Sequence, residues 1–133
     1  ETFVILDAGM TELIRPALYH ARHSIKNLTS TGPVKKYTVV GPVCETTDTF
    51  GRNIQLPETR RGDLIVIRSA GAYGEVMASR YNMRSLPAAL FSDSLRSYGR
   101  NPGNHGNPGN LVILVILVIL VIPVLTVILV LTV

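Results

Sequence analysis

Three short apolar runs, each bounded by turn residues, set the main limits on this fold. Thr2-Phe3-Val4-Ile5-Leu6 ends at Asp7, with Gly9 close behind. Tyr37-Thr38-Val39-Val40 stops at Gly41-Pro42, and Leu64-Ile65-Val66-Ile67-Arg68 begins after Gly62-Asp63. Apolar runs of this length, rich in β-branched residues and punctuated by Gly, Pro and Asp, read as buried strands. They predict strands over about 2–7, 36–41 and 63–69, with further extended structure near 73–80 and from Met77 to Pro87. Between the first two strands, Thr11 is placed to cap one short helix near residues 11–22, running from Glu12 toward Ile25 and beginning or kinking at Pro16. Lys26 to Pro33 is polar and turn-rich, and Asp48 to Arg61 carries Gly51, Pro57 and several charges. Both read as loops.

The break after Val40 introduces Gly41-Pro42-Val43-Cys44-Glu45-Thr46-Thr47-Asp48, which holds the chain's one cysteine beside a carboxylate. A strand-to-loop junction on a rigid scaffold is where binding and catalytic groups are usually carried. A thiol is a proton donor that nearby charges tune, and the neighbouring Glu45 suits either that tuning or a cationic substrate group. The plainer alternative is a small buried hydrophobe, the usual role of an isolated cysteine.

Arg15 and Tyr19 are spaced i, i+4, so helical geometry sets them side by side. A guanidinium fork with a phenol beside it suits a carboxylate; the alternative is an Arg-Tyr stack on a solvated face. In Ser69-Ala70-Gly71-Ala72-Tyr73-Gly74 the small residues let backbone approach a ligand, and Tyr73 is the one large side chain. Its phenol suits a phosphate, or it simply packs on a Gly-rich turn.

One cysteine excludes an internal disulfide and fits a reducing, cytoplasmic setting. His20, His23 and His105 include a single close pair and lack the further ligands of a zinc site, so no metal is expected. The 13 basic residues against nine acids are scattered rather than striped with aromatics, which gives nucleic-acid binding no support. No secretory signal is present, and the chain starts without Met inside a strand-like run, as a fragment would.

Composition divides the chain into residues 1–98, of ordinary globular character, a linker at 99–110 built on Asn-Pro-Gly-Asn, and a tail at 111–133 with no charge. Leu-Val-Ile occurs four times in succession from Leu111 to Ile122, a period of three that matches neither helix nor strand. Three readings of the tail stay open: a transmembrane anchor, a packed structural element, and a frame error or repeat expansion in the coding DNA.

The octapeptide at 41–48 resembles the Gly-Pro-x-Cys-Glu-Ser/Thr-x-Asp motif of diaminopimelate decarboxylases. Asp7-Ala8-Gly9-Met10 with Leu13-Ile14-Arg15-Pro16-Ala17-Leu18-Tyr19 is similar to a second motif of that family. Arg68 to Gly74, with Met77-Ala78-Ser79 and Tyr81-Asn82, is similar to a third, and the three fall in the family's order. The likeness covers about residues 1–95 and departs at Arg80, where Asn is frequent, and at Ala89, where Glu is frequent. The Glu after Cys favours this family over ornithine and arginine decarboxylases, in which Cys-Asp is usual.

The resemblance implies the C-terminal β-domain of a group IV decarboxylase of the alanine-racemase fold type. That domain is mainly antiparallel, Greek-key or barrel-like, with one short helix, and the apolar tail here is foreign to it. It implies a pyridoxal-phosphate enzyme that converts meso-diaminopimelate to L-lysine and carbon dioxide. An N-terminal (β/α)8 barrel carries the cofactor-binding lysine, and the active enzyme is a homodimer. Cys44 then matches the proton donor, and Arg15, Tyr19 and Glu45 match substrate-binding residues. Tyr73 matches a residue touching both substrate and cofactor. Without barrel or cofactor-binding lysine, the isolated chain is expected to be inactive. Two further readings are a non-catalytic β-domain that binds a separate partner and a membrane-tethered protein.

Overall fold

The computed structural model describes residues 1–87, so the linker, the tail and Ala89 lie outside the described residues. The described part is mainly β with short helices. β1 (Phe3–Ile5), β3 (Val34–Val40) and β4 (Thr49–Pro57) form one sheet in the order β1-β3-β4. β2 (Ile25–Asn27) pairs with β5 (Ile65–Ile67) in a second. β1 runs parallel to β3, with Val4 opposite Val39, whereas β3 with β4 and β2 with β5 are antiparallel. The predicted antiparallel character therefore holds for two of these three pairings. The parallel pairing follows from the connection, because residues 6–33 leave the sheet, pass through a short helix (α1, Arg15–Tyr19) and β2, and re-enter β3 from the same end.

The three runs read as strands are strands, each within its predicted span or nearly so. Their alternate residues build the core: Val4 and Leu6 from the first, Tyr37 and Val39 from the second, Ile65 and Ile67 from the third. Leu13, Ile25, Phe50, Leu56 and Ala70 join them. Leu6, Val39 and Ile65 are fully buried, each contributing on the order of 1.5–3 kcal/mol by removal from water.

Four local expectations need correction. Residues 48–61 are not mostly loop, since 49–57 form the longest strand. Asn53 sits in the left-handed region (φ 57°), and the register shifts between Tyr37 and Val39 and again before Val40. These bulges break the period-two alternation by which a strand is recognised. Lys26 and Asn27 belong to β2 rather than to a loop. The helix over 11–22 shrinks to α1 (Arg15–Tyr19), with Pro16 in its first turn, where its missing N–H costs nothing. Thr11 does not cap it; His20, left-handed at φ 55°, ends it, donating its N–H to Arg15 O. The extended segment near 73–80 is instead a second helix, α2 (Gly71–Val76), and a 3-10 turn at Tyr81–Met83 interrupts the stretch from Met77 to Pro87. Among the described residues no helix is long and apolar enough to cross a membrane.

Candidate functional site

The turn from Asp7 to Glu12 is the point where the chemistry-bearing segments meet. Gly9 O accepts the N–H groups of Glu12 (3.0 Å) and Leu13 (3.1 Å), which winds the chain toward α1. Glu12 is buried and folds back on this turn, its Oε2 accepting from Gly9 N at 2.6 Å and from the Thr11 hydroxyl at 2.7 Å. Arg84 closes the turn from the far end of the described chain. Its Nε reaches Thr11 Oγ1 at 3.1 Å and Glu12 Oε1 at 3.3 Å, and its Nη2 donates to the Asp7 carbonyl. Ser79 N adds a bond to Thr11 O at 2.9 Å. Burial pushes the Asp7 carboxyl up to about 7, with Glu12 adding to the effect and backbone N–H groups and Arg84 opposing it. Asp7 Oδ1 is buried with no hydrogen-bond partner among the described residues.

α1 follows this hub in the chain, and α2 packs beside it. Gly74 is buried, and the place of its absent Cβ faces Leu13 Cδ1, so α2 lies against the segment that leads into α1. As a result Arg15, Tyr19 and Tyr73 line one open groove of about 520 Å³ together with Val76 and Met77. The Arg15 guanidinium lies 5.7 Å from the centroid of the Tyr19 ring, as the i, i+4 spacing requires. Tyr19 and Tyr73 are both well exposed, so their phenols are open to a ligand. One guanidinium and two hydroxyls make a donor set suited to carboxylate or phosphate oxygens.

Cys44 and Glu45 do not line this groove. They lie in the loop between β3 and β4, and Cys44 is a free, exposed thiol rather than a buried hydrophobe. The loop is tightly wound. Gly41 N donates to Asp48 O at 3.0 Å, Glu45 N to Val43 O at 2.7 Å, and Asp48 N to Glu45 O at 3.0 Å. Asp48 is buried beneath the loop. One of its carboxylate oxygens accepts from Val43 N and the other from Met10 N, both at 2.7 Å. Burial raises the affinity of this carboxyl for its proton, against the pull of those two N–H groups. A second groove, of about 280 Å³ and bordered by Ser30, Glu58, Arg60 and Asp63, contains none of the predicted site residues. Among the described residues no cluster of His, Cys, Asp or Glu is arranged to hold a metal ion.

The roles of Glu12, Asp48 and Arg84 in holding this arrangement were not legible in sequence. Asp48 closes the octapeptide motif, which was a signal of sorts. Glu12 and Arg84 are 72 positions apart, and nothing local to either announces the pairing.

Known proteins resemble the chain over much of its described length. The profile of the pyridoxal-dependent decarboxylase C-terminal sheet domain matches residues 1–71. A diaminopimelate decarboxylase from Bacteroides thetaiotaomicron is 62% identical over 93 residues, which are 70% of this chain and 24% of that enzyme. The solved diaminopimelate decarboxylase from Helicobacter pylori, complexed with L-lysine, is 48% identical with a TM-score of 0.60. That match covers 65% of this chain and 22% of the other. The corresponding enzyme from M. jannaschii, also with L-lysine, is 37% identical with a TM-score of 0.62 over 67% of this chain and 20% of its own. The chain thus spans about a quarter of the length of the relatives it matches. With more than half of its residues matched, it belongs to the pyridoxal-dependent decarboxylase family, through that family's C-terminal sheet domain.

Proposed function

We propose that this chain is the part of a diaminopimelate decarboxylase that completes the active site, acting when joined to a (β/α)8 barrel and paired as a homodimer. The observation that carries this reading is the convergence of Arg15, Tyr19 and Tyr73 on one open groove. Arg15 and Tyr19 bind a carboxylate of meso-diaminopimelate, the guanidinium as a fork and the phenol as a second donor. Tyr73 donates to the pyridoxal phosphate or to the substrate lying against it. The cofactor supplies the electron sink for loss of carbon dioxide. It fits a groove of hydrogen-bond donors; among the described residues that line the groove none is a lysine, and the barrel is the part that would attach it.

Cys44 donates a proton to the carbon from which the carboxylate has left, giving L-lysine, and Glu45 binds the substrate beside it. The separation of the Cys44 loop from the groove supports a shared site. In this arrangement the groove serves one barrel while Cys44 and Glu45 reach into the barrel of the second subunit. The exposed apolar side chains Phe3, Ile5, Leu18 and Val76 are of the kind such contacts cover. In the whole domain the two sheets extend into a Greek-key, barrel-like closure, and the lone exposed thiol fits a reducing cytoplasm.

The test is complementation. The barrel of the Bacteroides relative, without its own C-terminal segment, is mixed with or fused to this chain and supplied with pyridoxal phosphate and meso-diaminopimelate. Lysine should form only when both parts are present. Lysine from this chain alone, or none from the pair when both are folded, would overturn the proposal.

A further inference from the structure

We infer that Asp48 is a positioning residue shared by the two active sites this chain helps to build. Its carboxylate fastens the loop carrying Cys44 and Glu45 to the turn from which Arg15 and Tyr19 run on, and so fixes one set of side chains relative to the other. The inference rests on reading Cys44 and Glu45 as site residues.

The geometry divides the carboxylate between two segments. Oδ2 holds Val43 N, the residue before Cys44, at 2.7 Å, and Oδ1 holds Met10 N, in the turn before α1, also at 2.7 Å. The backbone of Asp48 completes the grip through Gly41 N and Glu45 O, one on each side of Cys44. The residue is only 4% exposed, and burying a carboxylate is costly, so the fold retains it against its solvation. Two glycines leave room for it. A Cβ at Gly9 would come within 2.8 Å of Oδ2, and one at Gly41 would overlap both the carboxylate and the Gly9 Cα. Glu12 and Arg84 are the charged groups that act on it from the turn and from the downstream segment. An apolar residue of the same size would fill the space but leave the buried Val43 N–H and the part-buried Met10 N–H unpaired.

The first experiment is residue-resolved amide hydrogen exchange on the full chain, comparing wild type with Asp48→Asn. Asparagine keeps the shape but offers one oxygen, so it cannot accept from both amides. Exchange at Val43 or Met10 should rise about tenfold or more, the size expected for losing a charge-assisted bond. Val39, Leu56 and Ile67 in the sheets should change less than about threefold on the same scale. Equal acceleration everywhere, or none at either amide, would overturn the inference.

Should the variant not fold, the wild type alone suffices. The Val43 and Met10 amide shifts should follow one titration with a shared midpoint, displaced upward from that of a solvated aspartate by burial, and separate or absent midpoints would overturn the inference. In the barrel fusion, Asp48→Asn should lower kcat about tenfold through misplacement of Cys44, with any rise in KM from displaced Glu45 smaller than that fall. A KM effect alone would count against it. Full activity of a Cys44→Ala fusion would remove the proton-donor reading while leaving the exchange result at Asp48 intact.

Discussion

Asp7 makes the folded chain less stable as pH rises, and replacing it with asparagine should remove that dependence. Its carboxyl is raised from an ordinary 3.8 to about 7, chiefly by burial. The folded state therefore holds a proton that the unfolded state has released. Stability from this group is fully present below about pH 4 and is lost as pH climbs through 7. The gap corresponds to a ceiling of about 4 kcal/mol, at about 1.4 kcal/mol per pH unit. Asp7 is only half-buried, and solvent screening brings the expected effect to about 1–2 kcal/mol. Asp48 moves in the same direction but is present in both proteins, so it cancels in the difference. The assay is urea unfolding of wild type and Asp7→Asn at pH 5 and pH 8. Unfolded Asp7 is already ionised at pH 5, so roughly 60% of the effect falls inside this window and the variant should gain about 1 kcal/mol on the wild type between those two values. A constant difference, or a variant that loses ground at pH 8, would refute the argument from burial.

Arg84→Met should destabilise the fold by about 2–4 kcal/mol in the same unfolding assay, because it strands the buried Glu12 carboxylate without its cation. A loss below about 0.5 kcal/mol would show the pair to be a surface contact in energetic terms. In the barrel fusion, Tyr73→Phe should raise KM for substrate or for pyridoxal phosphate about three- to tenfold through loss of one hydroxyl donor, leaving thermal stability unchanged because the side chain is exposed. Steady-state kinetics with each component varied in turn would check this.

The strands at 3–5 and 65–67 and most of 34–40 were legible because their residues are continuously apolar and cleanly bounded. β4 was hidden. Asn53 bulges it, Gly51 and Pro57 look like loop residues, and its one charged residue, Arg52, faces solvent. α2 was hidden for a different reason. Its sequence, Gly-Ala-Tyr-Gly-Glu-Val, carries two glycines and lacks a side-chain cap, so packing of Gly74 near Leu13, not propensity, determines that it is helical. The pairing of Arg15 with Tyr19 was readable from spacing alone, whereas their meeting with Tyr73 required the tertiary fold. The carboxylates beneath the site were unreadable because each acts through contacts distant in sequence: Asp48 with Met10, and Glu12 with Arg84.

On the proposed function, Cys44 delivers the product proton. The direct measurement is kcat of the barrel fusion with meso-diaminopimelate for wild type and Cys44→Ala, with Arg15 and Tyr73 left intact. Loss of a positioned general acid predicts a fall of about 10²–10⁴-fold with KM little changed. A Cys44→Ala fusion that turns over at the wild-type rate would show that the product proton comes from elsewhere.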